Sequence, residues 1–471
     1  MTRTLPTLAL LAFAAAASAQ APEPDLVPFT RLGRIACRPA SQIASSPWSI
    51  GCETLDRDFA VYDHYKKYLG PLGAKRVRLQ AGWAKTERQK GVYEWAWLDA
   101  VVDDALSQGV QPWLETSYGN PLYEGGGGTG LGDGIPRSPE ALEAWDRWVL
   151  ALVRRYKDRV KEWEIWNEPD LGKEAPAEGY ADLYIRTAEI LRREQPGARL
   201  YALALAGNLR FAEAFLERVR EQGKVGLLDA VTVHGYPKNP DDTSNVDKIR
   251  ALLARVAPDV QVRQGETGAP STGSSSGALK GHPWTELTQA KWDLRRMLAH
   301  RAKDVPFSLF TLMEFDYTSG RTRGLNTKGL LKSNPDKTVA YAKPAYAAAR
   351  NVMSVFDDDL VRAEDVPCAA DAGQKLALTV YRHAKTKKLA VATWLCGAVP
   401  SDANETVPVD VRFARGGIEE PVYADLRTGW VYRVPAESVA REGEALVLRR
   451  IPVYDSPVLL ADRAALPVET K

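Results

Sequence analysis

The sequence predicts an α/β fold, a (β/α)8 TIM barrel followed by a C-terminal β-sandwich domain. Short apolar runs rich in β-branched and aromatic residues alternate with segments of helical period. This alternation ends near residue 357, where closely spaced strand patterns begin. The length of 471 residues suits one barrel of about 250 or more residues and one small domain.

The first nineteen residues have the pattern of a signal peptide. Arg3 gives a positive start, residues 8–17 are apolar, and Ala17-Ser18-Ala19 supplies the small residues of a cleavage site. The alternative is a retained membrane anchor, but the apolar run is short and the cleavage site follows it. We therefore expect cleavage near Gln20 and an exported protein, periplasmic or secreted. No later run reaches the ~18 apolar residues of a membrane span, so no span is predicted.

The barrel is predicted at residues 30–355. Its eight strands are expected at 47–53, 74–80, 110–116, 161–166, 199–205, 229–235, 260–265 and 306–313. Helical patterns lie at 97–108, 139–156, 180–193, 209–222, 246–256 and 285–301, with a last helix near 342–352. Several of these patterns begin with Asp, Ser or Asn and end before Gly or Pro, as helices do.

The C-terminal part, residues 357–466, is predicted to be a small β-sandwich. Alternating strand patterns follow one another there at 375–382, 388–394, 407–413, 422–425, 445–448 and 456–461.

The charge balance argues against a nucleic acid partner. The chain has 62 Lys plus Arg and 60 Asp plus Glu, a net charge of +2, whereas phosphate binding needs a concentrated basic face. The glycine-rich stretch 118–135 lacks the Gly-Lys-Ser/Thr ending of a phosphate-binding loop. It and the serine-rich stretch 267–281 are predicted to be loops. We expect no cofactor, and a partner that is uncharged or small.

Four cysteines are expected to form two disulfide bonds, because export leads to an oxidising compartment. Of the three connectivities, local pairing joins Cys37 with Cys52 and Cys368 with Cys396, which keeps each bridge within one predicted domain. A zinc site is the competing hypothesis. The sequence contains no Cys-x-x-Cys spacing, and its five histidines are scattered, so no metal site is predicted.

Two glutamates directly follow predicted barrel strands. Glu168 comes after the fourth strand in the triplet Asn167-Glu168-Pro169, and Glu266 ends the seventh. Strand ends of a closed barrel open into one mouth, so we expect the two carboxylates to converge. Apolar neighbours are expected to raise the pKa of Glu168, as a general acid requires. The alternative is that Glu168 is only a carboxylate at a helix start.

Two carboxylates in one cleft are the minimum equipment for glycoside hydrolysis. Five segments of the chain carry a more specific similarity: Arg76-Val77-Arg78, Gly91-Val92-Tyr93-Glu94-Trp95 with Leu98-Asp99, residues 111–117, Asn167-Glu168-Pro169, and residues 228–237. In this order, with a second glutamate after strand seven, they resemble the retaining glycoside hydrolases of clan A. Within that clan the chain is most similar to family 39, the β-xylosidase and α-L-iduronidase family. The resemblance covers most of residues 45–350, and the β-sandwich suits it.

The resemblance implies a role for each matching residue. Glu168 would be the acid/base and Glu266 the nucleophile. Asn167 would hydrogen-bond the sugar hydroxyl next to the reacting carbon, and Arg78 would keep Glu266 ionised. The alternative is that Arg78 and Glu115 form a buried ion pair with a structural role only.

Two further residues follow strand six. Tyr236 would hydrogen-bond the nucleophile, and His234 would line the cleft. The alternatives are structural. Tyr236 would then be only an aromatic residue at the start of a loop, and His234 a core histidine whose hydrogen bonds are made within the protein.

The sequence departs from the family pattern at two places. Gln80 and Ala81 stand where family members commonly have a His-Gly pair, and Phe310 is the best match to the tryptophan that usually ends strand eight. Trp113, Trp166 and Phe310 are predicted to bind substrate. Tryptophans near strand ends offer aromatic faces for sugar stacking, although at least two are expected to pack in the core: Trp48, Trp83, Trp113, Trp166 and Trp284.

These observations lead to the hypothesis of an exported retaining β-glycosidase, β-xylosidase-like, that acts on poly- or oligosaccharides through a covalent glycosyl-enzyme intermediate. One alternative is an endo-β-glycanase, because loops 118–135 and 267–281 would either close a pocket or flank a groove. The other alternative is an inactive carbohydrate-binding protein on the same fold. Both glutamates, Asn167 and Arg78 are present, which weighs against it.

Overall fold

The computed structural model describes residues 26–172, 175–319 and 322–469. The predicted signal peptide, residues 1–19, lies outside these residues. A first strand, β1 (Thr30–Ile35), precedes a closed barrel of eight parallel strands. The barrel strands are β2 (Trp48–Gly51), β3 (Arg76–Gln80), β4 (Gln111–Thr116), β5 (Glu162–Ile165), β6 (Arg199–Leu205), β7 (Ala230–His234), β8 (Gln261–Thr267) and β9 (Phe307–Leu309). Each overlaps one predicted strand, so the predicted barrel is confirmed.

Helices cover the outside of the barrel and bury its strands on both faces. They are α1 (Tyr62–Tyr65), α2 (Leu69–Leu72), α3 (Trp83–Thr86), α4 (Ala96–Ser107), α5 (Pro139–Tyr156), α6 (Ala177–Glu194), α7 (Leu209–Glu221), α8 (Ser244–Val256), α9 (Glu286–Arg301) and α10 (Pro344–Val355). Local sequence sets their starts. The hydroxyl of Ser138 accepts a hydrogen bond from the N–H of Ala141 at 3.1 Å and caps α5, whose first residue is Pro139.

Strand register fills the barrel interior with charged side chains. Arg76, Arg78 and Gln80 alternate along β3 and so share one face. Arg78 pairs in register with Trp113 of β4, and Glu115 of β4 pairs with Glu164 of β5. Polar side chains thus form layers inside the barrel, and the upper layers reach the mouth.

Two short hairpins follow the last barrel strand, in a stretch where no strands were predicted. They are β10 (Phe315–Tyr317) with β11 (Gly324–Asn326), and β12 (Leu331–Ser333) with β13 (Val339–Ala342). The first hairpin brings Tyr317 to the mouth of the barrel.

The second domain is a sandwich of two antiparallel sheets, as predicted. Its further strands are β14 (Leu360–Arg362), β15 (Cys368–Asp371), β16 (Leu376–His383), β17 (Leu389–Leu395), β18 (Val407–Phe413), β19 (Pro421–Asp425), β20 (Trp430–Arg433), β21 (Val439–Glu442), β22 (Ala445–Val453), β23 (Val458–Asp462) and β24 (Val468–Glu469). An eight-stranded sheet has the order β14-β16-β17-β23-β19-β20-β1-β24, and a four-stranded sheet has the order β15-β18-β22-β21. Side chains such as Val391, Val411 and Leu460 form the shared core.

Strand β1 belongs to the sandwich, which corrects the predicted start of the barrel at residue 30. It pairs antiparallel with β20 and β24, and the barrel begins only at Trp48. The reason is that β1 completes a sheet whose other strands come from the end of the chain, a pairing with no local signal.

All four cysteines are free thiols, so the two predicted disulfide bonds are wrong. Cys37 follows β1 and donates to Asn351 Oδ1 of α10 at 3.3 Å, whereas Cys52 follows barrel strand β2. Cys368 begins β15 of the four-stranded sheet, and Cys396 follows β17 of the eight-stranded sheet. Short separation along the chain does not bring these residues together, because the strands beside each predicted pair belong to different sheets. None of the described helices combines the length and apolarity that crossing a membrane requires.

Candidate active site

Glu168 is turned into the mouth of the barrel by an unusual backbone conformation. Its φ of 47° and ψ of 54° are left-handed, and its N–H donates to the carbonyl of Ala204 at 3.2 Å. The side chain does not cap the short 3-10 helix Pro169–Leu171 that follows. Instead, Oε1 lies 2.8 Å from Nδ1 of His234. The geometry therefore does not support the helix-start interpretation of Glu168.

Burial, and secondarily the charge of Asp170, raises the pKa of Glu168 to about 8. The carboxyl group thus holds its proton at neutral pH. Burial also lowers the pKa of His234 to about 4, which keeps the neighbouring imidazole neutral. The pair presents a protonated acid beside an uncharged ring, an arrangement suited to proton donation.

Glu266 lies near the end of β8 and receives two strong donors. The hydroxyl of Tyr236 donates to Oε1 at 2.5 Å, and Nη1 of Arg78 donates to Oε2 at 3.3 Å. Oε2 also lies 3.8 Å from Nδ1 of His234. Hydrogen bonds from a guanidinium and a phenol stabilise negative charge on a carboxylate.

The two glutamates converge, as the barrel topology predicts. One carboxylate oxygen from each of Glu168 and Glu266, together with a ring nitrogen of His234, lie within 4.8 Å of one another. These three residues present the donor types of a metal site. The same atoms are already engaged in hydrogen bonds within the protein. His234 bonds Glu168, and Tyr236 and Arg78 bond the two oxygens of Glu266.

Arg78 is the centre of the site and is completely buried. Its Nε donates to Glu164 Oε2 at 2.7 Å, its Nη1 to Glu53 Oε1 at 3.1 Å, and its Nη2 to Glu115. Burial alone would lower the pKa of Arg78, but the surrounding carboxylates raise it well above its usual value. The predicted contact between Arg78 and Glu115 exists, and it is one part of a larger cluster.

Asn167 connects this cluster to the cleft. Its Oδ1 accepts from Arg78 Nη2 at 2.9 Å, and its Nδ2 donates to the hydroxyl of Tyr118 at 2.7 Å. Both bonds fix the orientation of the amide.

Two cavities of about 320 and 300 Å³ open beside this cluster. Arg57, Thr129 and Ser319 line both. Tyr317 and Leu171 contribute to the larger cavity. The mouth therefore extends beyond the space around the two glutamates.

Comparison with known proteins agrees with this geometry. Residues 77–264 match the model of glycosyl hydrolases family 39. A beta-xylosidase from Geobacillus stearothermophilus is 26% identical over 130 residues, which are 25% of this chain and 26% of that protein. The chain thus aligns with about a quarter of the length of this curated relative.

Solved structures share the fold at low identity. A family 39 glycoside hydrolase from Bacteroides cellulosilyticus WH2 is 18% identical with a TM-score of 0.63, over 90% of this chain and 81% of that one. A monomeric beta-xylosidase from Caulobacter crescentus CB15 is 17% identical with a TM-score of 0.59, over 91% and 97%. The chain is similar to family 39 glycoside hydrolases of clan A, in sequence over residues 77–264 and in fold over most of its length. The resemblance inferred from the sequence is confirmed.

The predicted sugar-stacking residues are placed differently in this family 39-like barrel. Trp113 is 1% exposed and packs inside the barrel against Tyr201, so its assignment to substrate binding is wrong. Trp166 is 2% exposed beneath Tyr118, and Phe310 is 5% exposed against Phe315. These rings present almost no surface to a sugar. Trp48, Trp83 and Trp284 are also buried.

Several residues of the site were not found from the sequence. Glu53 follows the first barrel strand and contacts Arg78, and burial raises its pKa to about 8. A carboxylate after a strand is the same signal that identified Glu168. Tyr118 lies in a loop, Arg57 ends a short 3-10 helix and Tyr317 ends strand β10, and the sequence contains no comparable signal at these positions.

Proposed function

We propose that this chain is an exported retaining β-glycosidase that hydrolyses β-linked poly- or oligosaccharides, with β-xylosides as the expected substrates. The observation that carries the proposal is the pair Glu168 and Glu266, with oxygens within 4.8 Å and unlike surroundings. Retaining enzymes have carboxyl groups about 5–5.5 Å apart, whereas inverting enzymes need about 6.5–9.5 Å to admit a water molecule. The spacing therefore supports retention.

The first step follows from the different environments of the two glutamates. Glu266, paired with Arg78 and Tyr236, attacks the anomeric carbon with a carboxylate oxygen. Glu168, which holds its proton because of burial, transfers it to the leaving glycosidic oxygen. The bond from the anomeric carbon to the leaving oxygen breaks as the bond to Glu266 forms. The leaving alcohol departs neutral.

The second step uses the same groups in reverse. Glu168, now ionised, accepts a proton from a water molecule, and the water oxygen attacks the anomeric carbon. The bond to Glu266 breaks, which restores its carboxylate, and Glu168 regains its proton. Arg78 orients Asn167 throughout, and Asn167 is placed to hydrogen-bond the sugar hydroxyl beside the anomeric carbon.

The preference for β-xylosides is supported by the relatives described as beta-xylosidases. Endo action on a longer chain is a second candidate, supported by the two cavities that share Arg57, Thr129 and Ser319. These cavities leave space for sugar units on more than one side of that arginine. Export is supported by the pattern of Arg3, the apolar residues 8–17 and Ala17-Ser18-Ala19.

An activity screen tests this proposal. Aryl β-xyloside, β-glucoside, β-galactoside and α-arabinoside are assayed beside soluble polysaccharides, and proton NMR follows the anomer released first. We expect hydrolysis of the aryl β-xyloside with release of the β-anomer. Activity on polysaccharides alone would favour the endo candidate, initial release of the α-anomer would refute retention, and binding without hydrolysis would indicate an inactive carbohydrate-binding protein.

A further inference from the structure

The loop of residues 235–243, here the Tyr236 loop, connects β7 to α8. Tyr236 donates to the nucleophile Glu266 at 2.5 Å from this loop. The loop lies outside regular structure, so its position depends on the groups that hold it.

Helix α9 holds the loop from one side. The indole N–H of Trp292 donates to the carbonyls of Pro237 and Lys238, at 3.2 and 3.1 Å, directly after Tyr236. Arg296 Nη1 donates to the carbonyl of Pro240 at 3.3 Å. The side chains of Trp292 and Arg296 are both completely buried, so the donors of these bonds are fixed by packing.

The sandwich domain holds the same loop through Asp241. Trp394 Nε1 donates to Asp241 Oδ1 at 2.9 Å, and the N–H of Gly397 donates to Oδ2 at 2.7 Å. Arg295 of α9 also pairs with Asp241, and its Nη2 donates to the carbonyl of Ala398 at 2.8 Å. One carboxylate of the barrel thus receives donors from the helix and from the sandwich.

We propose that the β-sandwich positions the catalytic nucleophile, with Asp241 as the positioning residue that connects Trp394 and Gly397 to the Tyr236 loop. The Tyr236–Glu266 hydrogen bond forms only when this loop is held within a fraction of an ångström, because hydrogen bonds weaken steeply with distance and angle. The proposal rests on the proposed function for the role of Glu266. It assigns the second domain a part in catalysis in addition to any part in stability.

The test compares two variants of the full chain, Asp241→Asn and Asp455→Asn. Asp455 is the matched control, because its Oδ1 accepts from Lys291 of α9 at 2.6 Å and its Oδ2 accepts from the N–H of Ser401 at 2.6 Å. It therefore also joins α9 to the sandwich, but the structure gives it no bond to the Tyr236 loop. Asp241→Asn removes an ion pair with Arg295 of α9 and weakens the hydrogen bonds from Trp394 and Gly397. Asp455→Asn removes an ion pair with Lys291 of the same helix.

The first measurement is amide hydrogen exchange of residues 235–243. We expect faster exchange in Asp241→Asn and unchanged exchange in Asp455→Asn. Equal exchange in both variants would overturn the proposal. This readout does not depend on enzymatic activity.

The second measurement is inactivation by an activated 2-deoxy-2-fluoro-β-xyloside, which reports attack by Glu266. We expect the inactivation rate constant of Asp241→Asn to fall about tenfold or more, with little change in inhibitor binding. In a Tyr236→Phe background the Asp241 substitution should cost little more, because both act through one hydrogen bond. Additive losses would overturn the link to Glu266. A wild-type chain that is never inactivated would refute the proposed function, and the exchange comparison would then decide alone whether the sandwich holds the loop.

Discussion

The barrel interior contains two arginine clusters with opposite charge balance. At the mouth, one arginine, Arg78, faces four carboxylates: Glu53, Glu115, Glu164 and Glu266. At the other end, two arginines face one carboxylate. Arg76 Nε lies 2.7 Å from Glu162 Oε1, and Arg263 Nη2 lies 3.8 Å from Glu162 Oε2. The ring of Trp113 lies between them, with its centroid 5.6 Å from Arg78 Cζ and 5.3 Å from Arg263 Cζ.

The pKa values of the carboxyl groups differ between the two ends of the barrel. At the mouth, burial raises the pKa of Glu168 and of Glu53 to about 8. At the other end, burial acts on Glu162 in the same direction, but Arg263 and Arg76 lower its pKa overall. Burial alone therefore does not make a catalytic acid. Burial raises the pKa of a carboxyl group where the neighbouring arginines do not outweigh it, as at Glu168 and Glu53. The surplus of carboxylates at the mouth would also favour the positive charge that develops on a sugar in the transition state.

The largest difference between the two ends of the barrel is expected when the glutamates at the mouth are removed. Glu168→Ala and Glu266→Ala should each lose several orders of magnitude in rate on a β-linked substrate. An activated aryl glycoside needs little protonation to leave, so azide should rescue Glu168→Ala and give the β-azide. Azide should enter Glu266→Ala from the opposite face and give the α-azide. Proton NMR of the products distinguishes the two.

Glu162→Gln at the other end is the matched control for these variants. It should retain most of the wild-type rate while lowering the free energy of unfolding, because Arg76 loses its partner. Swapped azide products would show that the two catalytic roles are reversed.

The second prediction concerns the arginines. Arg78→Lys should lower kcat/KM by about a hundredfold or more, because a point charge on a flexible stem cannot bond Glu164, Glu266 and Asn167 together. Arg76→Lys should leave kcat/KM close to wild type. Steady-state kinetics of both variants provide the comparison, and equal losses would show that the charge balance has no catalytic role.

The third prediction concerns pH. Glu168 must be protonated in the free enzyme, and its pKa is raised to about 8 by burial. kcat/KM should therefore fall about tenfold per pH unit as the pH rises above about 8, because the acid loses its proton. With an activated aryl glycoside, Glu168→Ala should lack this decline. A decline that persists in the variant would assign it to another group.

The smallest effect is expected for Arg263→Met. Arg263 is buried, its Nε and Nη2 lack hydrogen-bond partners among the described residues, and burial lowers its pKa. Replacing such a charge by an apolar side chain of similar length should change the free energy of unfolding by about 1 kcal/mol or less, or increase it. Urea unfolding measures this, and a loss of several kcal/mol would show that the ion pair with Glu162 is essential.

The sequence by itself determined the barrel and the two glutamates that define its mouth. Both follow from local patterns, because strand and helix periodicity is written in neighbouring residues, and a polar residue after an apolar strand marks the barrel opening. The match of residues 77–264 and the convergence of Glu168 with Glu266 agree with that prediction.

Only the tertiary structure decided which residues share a layer. Strand β1 joins a sheet made from the end of the chain, so Cys37 and Cys52 follow strands of different sheets. Trp113 is buried because its strand register points it between Arg78 and Arg263, not because of its own sequence context. Burial and pairing depend on residues distant in the chain, so no local pattern specifies them.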